Sequence, residues 1–179
     1  MSEYLETITH NRNLKDEFFR THHDSPLPEE MKPRFKGLNY FSLNKKLRFK
    51  AVQIAEFQNP KEKYPMPRTG GDLVHYFIFG RIRFGIDDKN YDLVVYINPE
   101  IGHDYYFVPF WDETALANET YGSGRYLELE KSPDGMFTLD FNLAYNPFCV
   151  YSPDYSCPLT PQENRLKVRI EAGEKNFYK

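Results

Sequence analysis

The chain has 179 residues, a formal net charge of −3, and 17% aromatic residues, most of them Phe and Tyr. That length fits a single domain spanning 1–179 and allows a real core, with roughly 70% of the unfolded chain's surface buried. The slightly acidic balance excludes a general nucleic-acid binder, and no apolar run approaches the length of a membrane-crossing helix. The first residues, MSEYLETITHNRNLKDEFFR, lack the apolar centre of a signal peptide. A cytoplasmic protein with its two cysteines reduced is therefore expected.

Residues 3 to about 20 read as a helix, with Ser2 as N-cap, Glu3 and Glu6 at the positive end of the dipole, and Leu14 paired with Phe18. Ser25-Pro26-Leu27-Pro28 ends it, and Pro28 opens a short turn through Met31. His22-His23-Asp24 has no third ligand at a diagnostic spacing and reads as a solvated helix end, so no metal site is expected. The β body runs from about 38 to 179, starting with the apolar anchor Leu38, Tyr40 and Phe41 after Gly37. Leu47, Phe49 and Ala51 alternate, and the pattern then shifts phase at Val52 and Ile54, as a bulged strand would. Asn59-Pro60 and Pro65-Met66-Pro67 mark a long connection.

Val74, Tyr76, Ile78, Ile82, Phe84 and Ile86 occupy even positions, which is strand periodicity, with a bend expected at Gly80. A turn at Asp87–Asn90 leads into Tyr91, Leu93, Val95 and Ile97, completing a hairpin that ends before Asn98-Pro99. Tyr105–Trp111 is a further apolar run in which Pro109 marks an edge, a bulge or the strand's end. A second hairpin joins Tyr126–Glu130 to Met136–Phe141 through Ser132-Pro133-Asp134-Gly135. Leu166, Val168 and Ile170 alternate as a last strand. The fold class expected is mainly β: an antiparallel barrel or sandwich of about six or seven strands with an N-terminal helix.

Between the last two strands lies Leu139–Arg165, which holds both cysteines and four of the 13 prolines. Its prolines exclude a regular helix, and its aromatics exclude a solvated linker. It reads as a long ordered loop packed on the domain, a type of segment that is often functional.

Within and beside this loop, Tyr121, Arg125, Asp140, Asn142, Tyr145, Asn146, Glu163 and Asn164 are the candidate ligand-binding residues. Gly122 and Gly124 would let a ligand approach the backbone, and Arg125 would offer a fork to a carboxylate or phosphate. The plainer account is that the loop's polar side chains satisfy its own backbone. Cys149 and Cys157 form neither a C-x-x-C motif nor half of a zinc site; they read as structural or reactive thiols. Asp112, Glu113 and Glu119 are the nearest approach to an acid–base carboxylate pair.

The motifs KDEFF at 15–19, SPLPEE at 25–30, FKGLNYF at 35–41, ETYGSGRYL at 119–127, DFNLAYNPFCVYSPDYSCPLTPQENRL at 140–166 and AGEK at 172–175 carry a family likeness. The chain resembles the bacterial and archaeal domain-of-unknown-function family 1684. That resemblance implies no substrate, cofactor or catalytic residue. The chain departs from the family pattern at Leu116 and Ala117, where Ser-Gly is usual, and at Trp111, where a basic residue is usual.

The leading expectation is a small-molecule-binding β domain with its site between the Gly122–Arg125 turn and the Asp140–Arg165 loop. The rivals are an enzyme using Cys149, Cys157 or a carboxylate pair, and a structural or protein-interaction module. The sequence names no cofactor and leaves the oligomeric state open.

Overall fold

The computed structural model describes residues 3–56, 63–98, 100–102 and 105–177. The expected cap at Ser2 and the features at Asn59-Pro60 and Pro99 lie outside them. One α-helix, α1 (Glu3–Thr21), precedes β1 (Arg48–Val52), β2 (Ile54–Glu56), β3 (Lys63–Pro67), β4 (Leu73–Ile86), β5 (Lys89–Ile97), β6 (Tyr106–Phe110), β7 (Arg125–Lys131) and β8 (Phe137–Asp140). All strand pairings are antiparallel, in the order β1-β8-β7-β6-β5-β4-β2, with β3 also on β4. The sheet curls into a half-barrel that brings β1 back towards β4. The fold is thus the expected mainly β, antiparallel one, with an N-terminal helix and a long ordered loop. Among the described residues no helix is long and apolar enough to cross a membrane.

The first hairpin closes as its sequence requires. Asp87 and Asp88 both take positive φ (47° and 60°), the backbone of a tight two-residue turn whose twist suits the flanking strands. The β4–β5 register slips between Ile78 and Gly80, placing the bulge at the expected glycine. The extra residue reverses which face the even positions meet. Tyr76 therefore joins a cluster with Met66, Tyr96, Phe107, Tyr126 and Cys157 on one face, whereas Ile82 and Phe84 join Leu93, Val95, Val108 and Leu127 on the other. Both faces are buried, which is why β5 runs Leu93-Val94-Val95-Tyr96 without a polar break.

Three expectations need correction. Pro65-Met66-Pro67 is not connection but part of β3, paired with His75, Val74 and Leu73. Proline is tolerated there because among the described residues β3 has only β4 as a ladder partner, so a missing N–H costs nothing on the open side. The phase shift at Val52–Ile54 is more than a bulge. It is where the chain leaves β8, which pairs with β1, and crosses to β4, which pairs with β2.

Leu166–Ile170 is not a strand, although Leu166 and Ile170 are buried at the expected period. Its backbone instead meets single partners: Leu166 N–H donates to the Trp111 carbonyl (2.8 Å), the Val168 carbonyl accepts from Glu113 N–H (3.1 Å), and Ile170 N–H donates to Asp112 Oδ1 (3.0 Å).

Candidate functional site

Arg125 opens β7 and is 1% exposed. Its guanidinium donates to Asp112 Oδ2 (2.7 Å), to the Ile170 carbonyl (3.0 Å), to the Glu174 carbonyl (3.0 Å) and to the Ala172 carbonyl. Burial lowers its pKa and the Asp112 carboxylate opposes that shift. Asp112, expected as an ordinary loop acid, is 2% exposed and also accepts from Thr114 N–H (2.9 Å) and Thr114 Oγ1 (2.6 Å). The fork expected for a ligand is thus engaged by the protein's own acceptors, which pin the C-terminal segment Ile170–Glu174.

The other expected residues fall into separate places. Asp140 and Asn142 lie under α1, where Asp140 Oδ2 accepts from Tyr4 (2.8 Å) and pairs with Arg48 (3.2 Å). Asn142 Nδ2 donates to the Asn44 carbonyl (2.9 Å), and its Oδ1 accepts from Asn44 N–H (2.8 Å). Asn146 N–H donates to Glu174 Oε2 (2.8 Å), a buried carboxylate that also takes Lys15 Nζ (2.6 Å) and the Tyr151 hydroxyl (2.9 Å). Tyr145 donates to Glu128 (2.7 Å). Burial, with Tyr105 and Glu128 beside it, pushes the Tyr145 phenol well up.

Asn164 and Glu163 stand at the β5–β6 seam. Ladder pairing between these strands stops at Phe107, two residues before Pro109, which has no N–H to give. The Asn164 side chain fills the gap: its Oδ1 accepts from Val94 N–H (2.7 Å), and its Nδ2 donates to the carbonyls of Val94 (2.9 Å) and Pro109 (2.8 Å). Next to it Glu163 accepts from the hydroxyl of buried Tyr96 (2.9 Å).

The two glycines of the Tyr121–Arg125 turn also differ. Gly124 has φ +102°, and a side chain there would meet Thr160 Oγ1 and, at 2.5 Å, the Phe110 carbonyl oxygen. It serves close packing. Gly122 has no atom within 4 Å of where a Cβ would stand, and it faces open space.

That open space is a cleft of about 450 Å³ between this turn and the end of the loop, lined by Tyr64, Gly122, Ser123, Leu159, Gln162 and Arg165 among others. Its walls are tied together beneath: Leu159 N–H donates to the Pro67 carbonyl (2.8 Å), and Thr160 Oγ1 to the Ser123 carbonyl (2.9 Å). At its rim the Trp111 indole donates to the Gly122 carbonyl (3.1 Å), and the Arg165 guanidinium carbon lies over the Trp111 ring, 5.5 Å from its centre. Among the described residues no carboxylate pairs with Arg165. The cleft lies between the Gly122–Arg125 turn and the Asp140–Arg165 loop, but none of Tyr121, Arg125, Asp140, Asn142, Tyr145, Asn146, Glu163 and Asn164 lines it. Arg165 was legible in the loop motif; Tyr64 was hidden in the proline run read as connection.

Behind the turn, the Tyr121 hydroxyl lies 3.9 Å from Cys149 Sγ. Cys149 N–H donates to Cys157 Sγ (3.3 Å), and both thiols are free. Cys157 is clamped by Thr69, whose Oγ1 accepts from its N–H (3.0 Å) and whose N–H donates to its carbonyl (2.9 Å). The Cys157 S–H, then the Tyr121 and Thr69 hydroxyls, hydrogen-bond the Cys149 sulfur and hold its thiol down to about 6. The same sharing pushes the Cys157 thiol up. His22, His23 and Asp24 do bring ligand atoms within 4.8 Å of one another, on the surface at the end of α1.

Residues 33–175 match the family described as "Protein of unknown function (DUF1684)". Over 99% of this chain and 96% of the other, the fold is similar to the solution NMR structure of the uncharacterized protein from gene locus rrnAC0354 of Haloarcula marismortui, with 34% sequence identity and a TM-score of 0.69. No curated protein matches the chain.

Proposed function

For a chain that belongs to the DUF1684 family, whose description assigns no activity, we propose binding of a small anionic organic molecule in the cleft between the Gly122–Ser123 turn and the Leu159–Arg165 arm. The observation that carries this reading is Arg165, an exposed guanidinium over the Trp111 ring at the rim with no carboxylate partner among the described residues. A planar fork presented this way suits a carboxylate or phosphate, which it can meet with two parallel hydrogen bonds. The volume falls in the range of ligand sites, roughly 300–1,000 Å³. Tyr64 and Leu159 supply apolar wall, Ser123 and Gln162 supply hydrogen-bonding groups, and bare Gly122 lets a ligand reach the backbone. We place the protein in the cytoplasm, where two free thiols persist.

Trp111 is the chain's single tryptophan, so its emission reports on the rim directly. Titration with citrate, inorganic phosphate and AMP is expected to give a saturable change for at least one probe. Arg165→Gln should weaken that binding roughly tenfold or more, because the ligand's charge loses its partner. Flat emission with all three probes, or equal affinity in Arg165→Gln, would contradict the reading.

A further inference from the structure

We propose that Cys149 and Cys157 form a hydroperoxide-reactive dithiol, with Cys149 the attacking sulfur and Cys157 the resolving one. The geometry separates the two roles. Cys149 is half-buried at the edge of the cluster of Met66, Tyr76 and Tyr126, whereas Cys157 is 8% exposed and inside it. Cys157 Sγ accepts from the Cys149 N–H at 3.3 Å, so the resolving thiol is already beside its target.

This closeness is built by the loop rather than by a bond. A turn in which Tyr155 N–H meets the Ser152 carbonyl (3.4 Å) folds the chain back, and the two-way clamp of Thr69 fixes Cys157 from β3's side. Two cysteines serving only as small hydrophobes would bury both sulfurs and need no donors. Here the sulfur of half-buried Cys149 has the Tyr121 hydroxyl at 3.9 Å.

Such a donor stabilises the thiolate, which is the nucleophile. The charged and titratable groups facing the pair are Tyr121 from the turn, Tyr126 from β7, Tyr76 from β4 and Arg68 beside Thr69. Arg68 is the cation of the set, and it is also paired with Asp72.

The chemistry balances with a hydroperoxide as oxidant. The Cys149 thiolate attacks the outer peroxide oxygen, the S–O bond forms, the O–O bond breaks, and the leaving oxygen takes a proton to depart as an alcohol or water. Cys157 then attacks the sulfenic sulfur: the S–S bond forms, the S–O bond breaks, and the hydroxide leaves as water with the proton Cys157 gives up. Two thiols are oxidised by two electrons and one peroxide is reduced.

The test uses the full chain and hydrogen peroxide at one equivalent, with thiols counted by alkylation and intact mass. Both thiols should disappear together as an intrachain disulfide that dithiothreitol reverses. Cys157→Ser, which keeps a donor of similar size, should stop at a Cys149 sulfenic acid that dimedone captures. Cys149→Ser should leave Cys157 reduced at the same dose. Independently, iodoacetamide should alkylate Cys149 at pH 7 several-fold faster than free cysteine, with the rate levelling off at a lower pH than that of free cysteine. Circular dichroism of both variants confirms that each is folded. Oxidation of Cys157 in Cys149→Ser at the wild-type rate, the absence of a disulfide, or oxidation by glutathione disulfide but not by peroxide would overturn the assignment.

Discussion

Arg125 and Arg165 look alike in the sequence, yet they meet opposite surroundings. Removing the Arg125 side chain would strand the Asp112 carboxylate inside the protein and free the carbonyls of Ile170, Ala172 and Glu174. Leaving one member of a buried ion pair unmatched costs roughly 3–5 kcal/mol. Arg125→Ala should therefore lower the urea midpoint steeply, while Arg165→Gln, on the surface, should stay within about 0.5 kcal/mol of wild type. Equal stabilities would show that the inward fork is not what holds the C-terminal segment.

The sequence points to Arg125 as the fork for a ligand; it does not show that this arginine is already matched inside the protein. Asp112 is 13 residues from Arg125 in the chain, inside a segment that reads as polar turn. Glu174 is equally hidden: nothing in AGEK tells that its carboxylate gathers Lys15, Asn146 and Tyr151. Contacts of this kind are set by how distant elements dock, which no local pattern encodes.

At the scale of elements, the clearest device is the patch at Pro109. An imide inside a central strand would leave β5 and β6 gaping beyond Phe107, and the side chain of Asn164 closes the gap from both sides. Asn164→Ala should leave the Val94 N–H and two carbonyls buried without partners, at about 1–3 kcal/mol for each group. Hydrogen exchange at Val94 should accelerate far more than at the β6–β7 pairs Val108–Leu127, which keep their ladder. Uniform acceleration across the sheet would mean that Asn164 supports the whole fold rather than this seam.

The two hairpins were legible because alternation and turn residues are local: Asp87-Asp88 and Ser132–Gly135 announce them. Strand β3 was not, because its prolines suit an edge and edges are a property of the assembled sheet. The reverse failure occurred at Leu166–Ile170. Burial alternates there as in a strand, but the neighbouring backbone belongs to a turn around Asp112 that offers no ladder.

At the scale of the molecule, the long loop is the cover for the sheet's outer face. Tyr145, Phe148, Cys149, Tyr155 and Cys157 pack onto Met66, Tyr76, Tyr96, Phe107 and Tyr126, and this explains why a non-repetitive stretch carries so many aromatics. The core residues of that stretch could be recognised from composition; the partition of its polar residues between anchoring and binding could not. The loop's two margins hold the thiol pair, where it doubles back, and an open cleft, where it rejoins the strands. Closing a Cys149–Cys157 disulfide would shorten the thermally accessible unfolded chain, so the oxidised protein should melt higher than the reduced one. A lower melting temperature on oxidation would mean that the bond strains the folded loop.

The central claim is that the cleft, and not the internal polar network, receives the ligand. The most direct measurement is an amide-resolved NMR titration of isotopically labelled protein with citrate, inorganic phosphate and AMP in turn. Saturable shifts concentrated at Gly122, Ser123, Gln162, Arg165 and the Trp111 indole, and lost in Arg165→Gln, are the predicted result. Shifts centred instead on Arg12, Lys15 and Asn142 beneath α1, or no saturable shift with any probe, would contradict it.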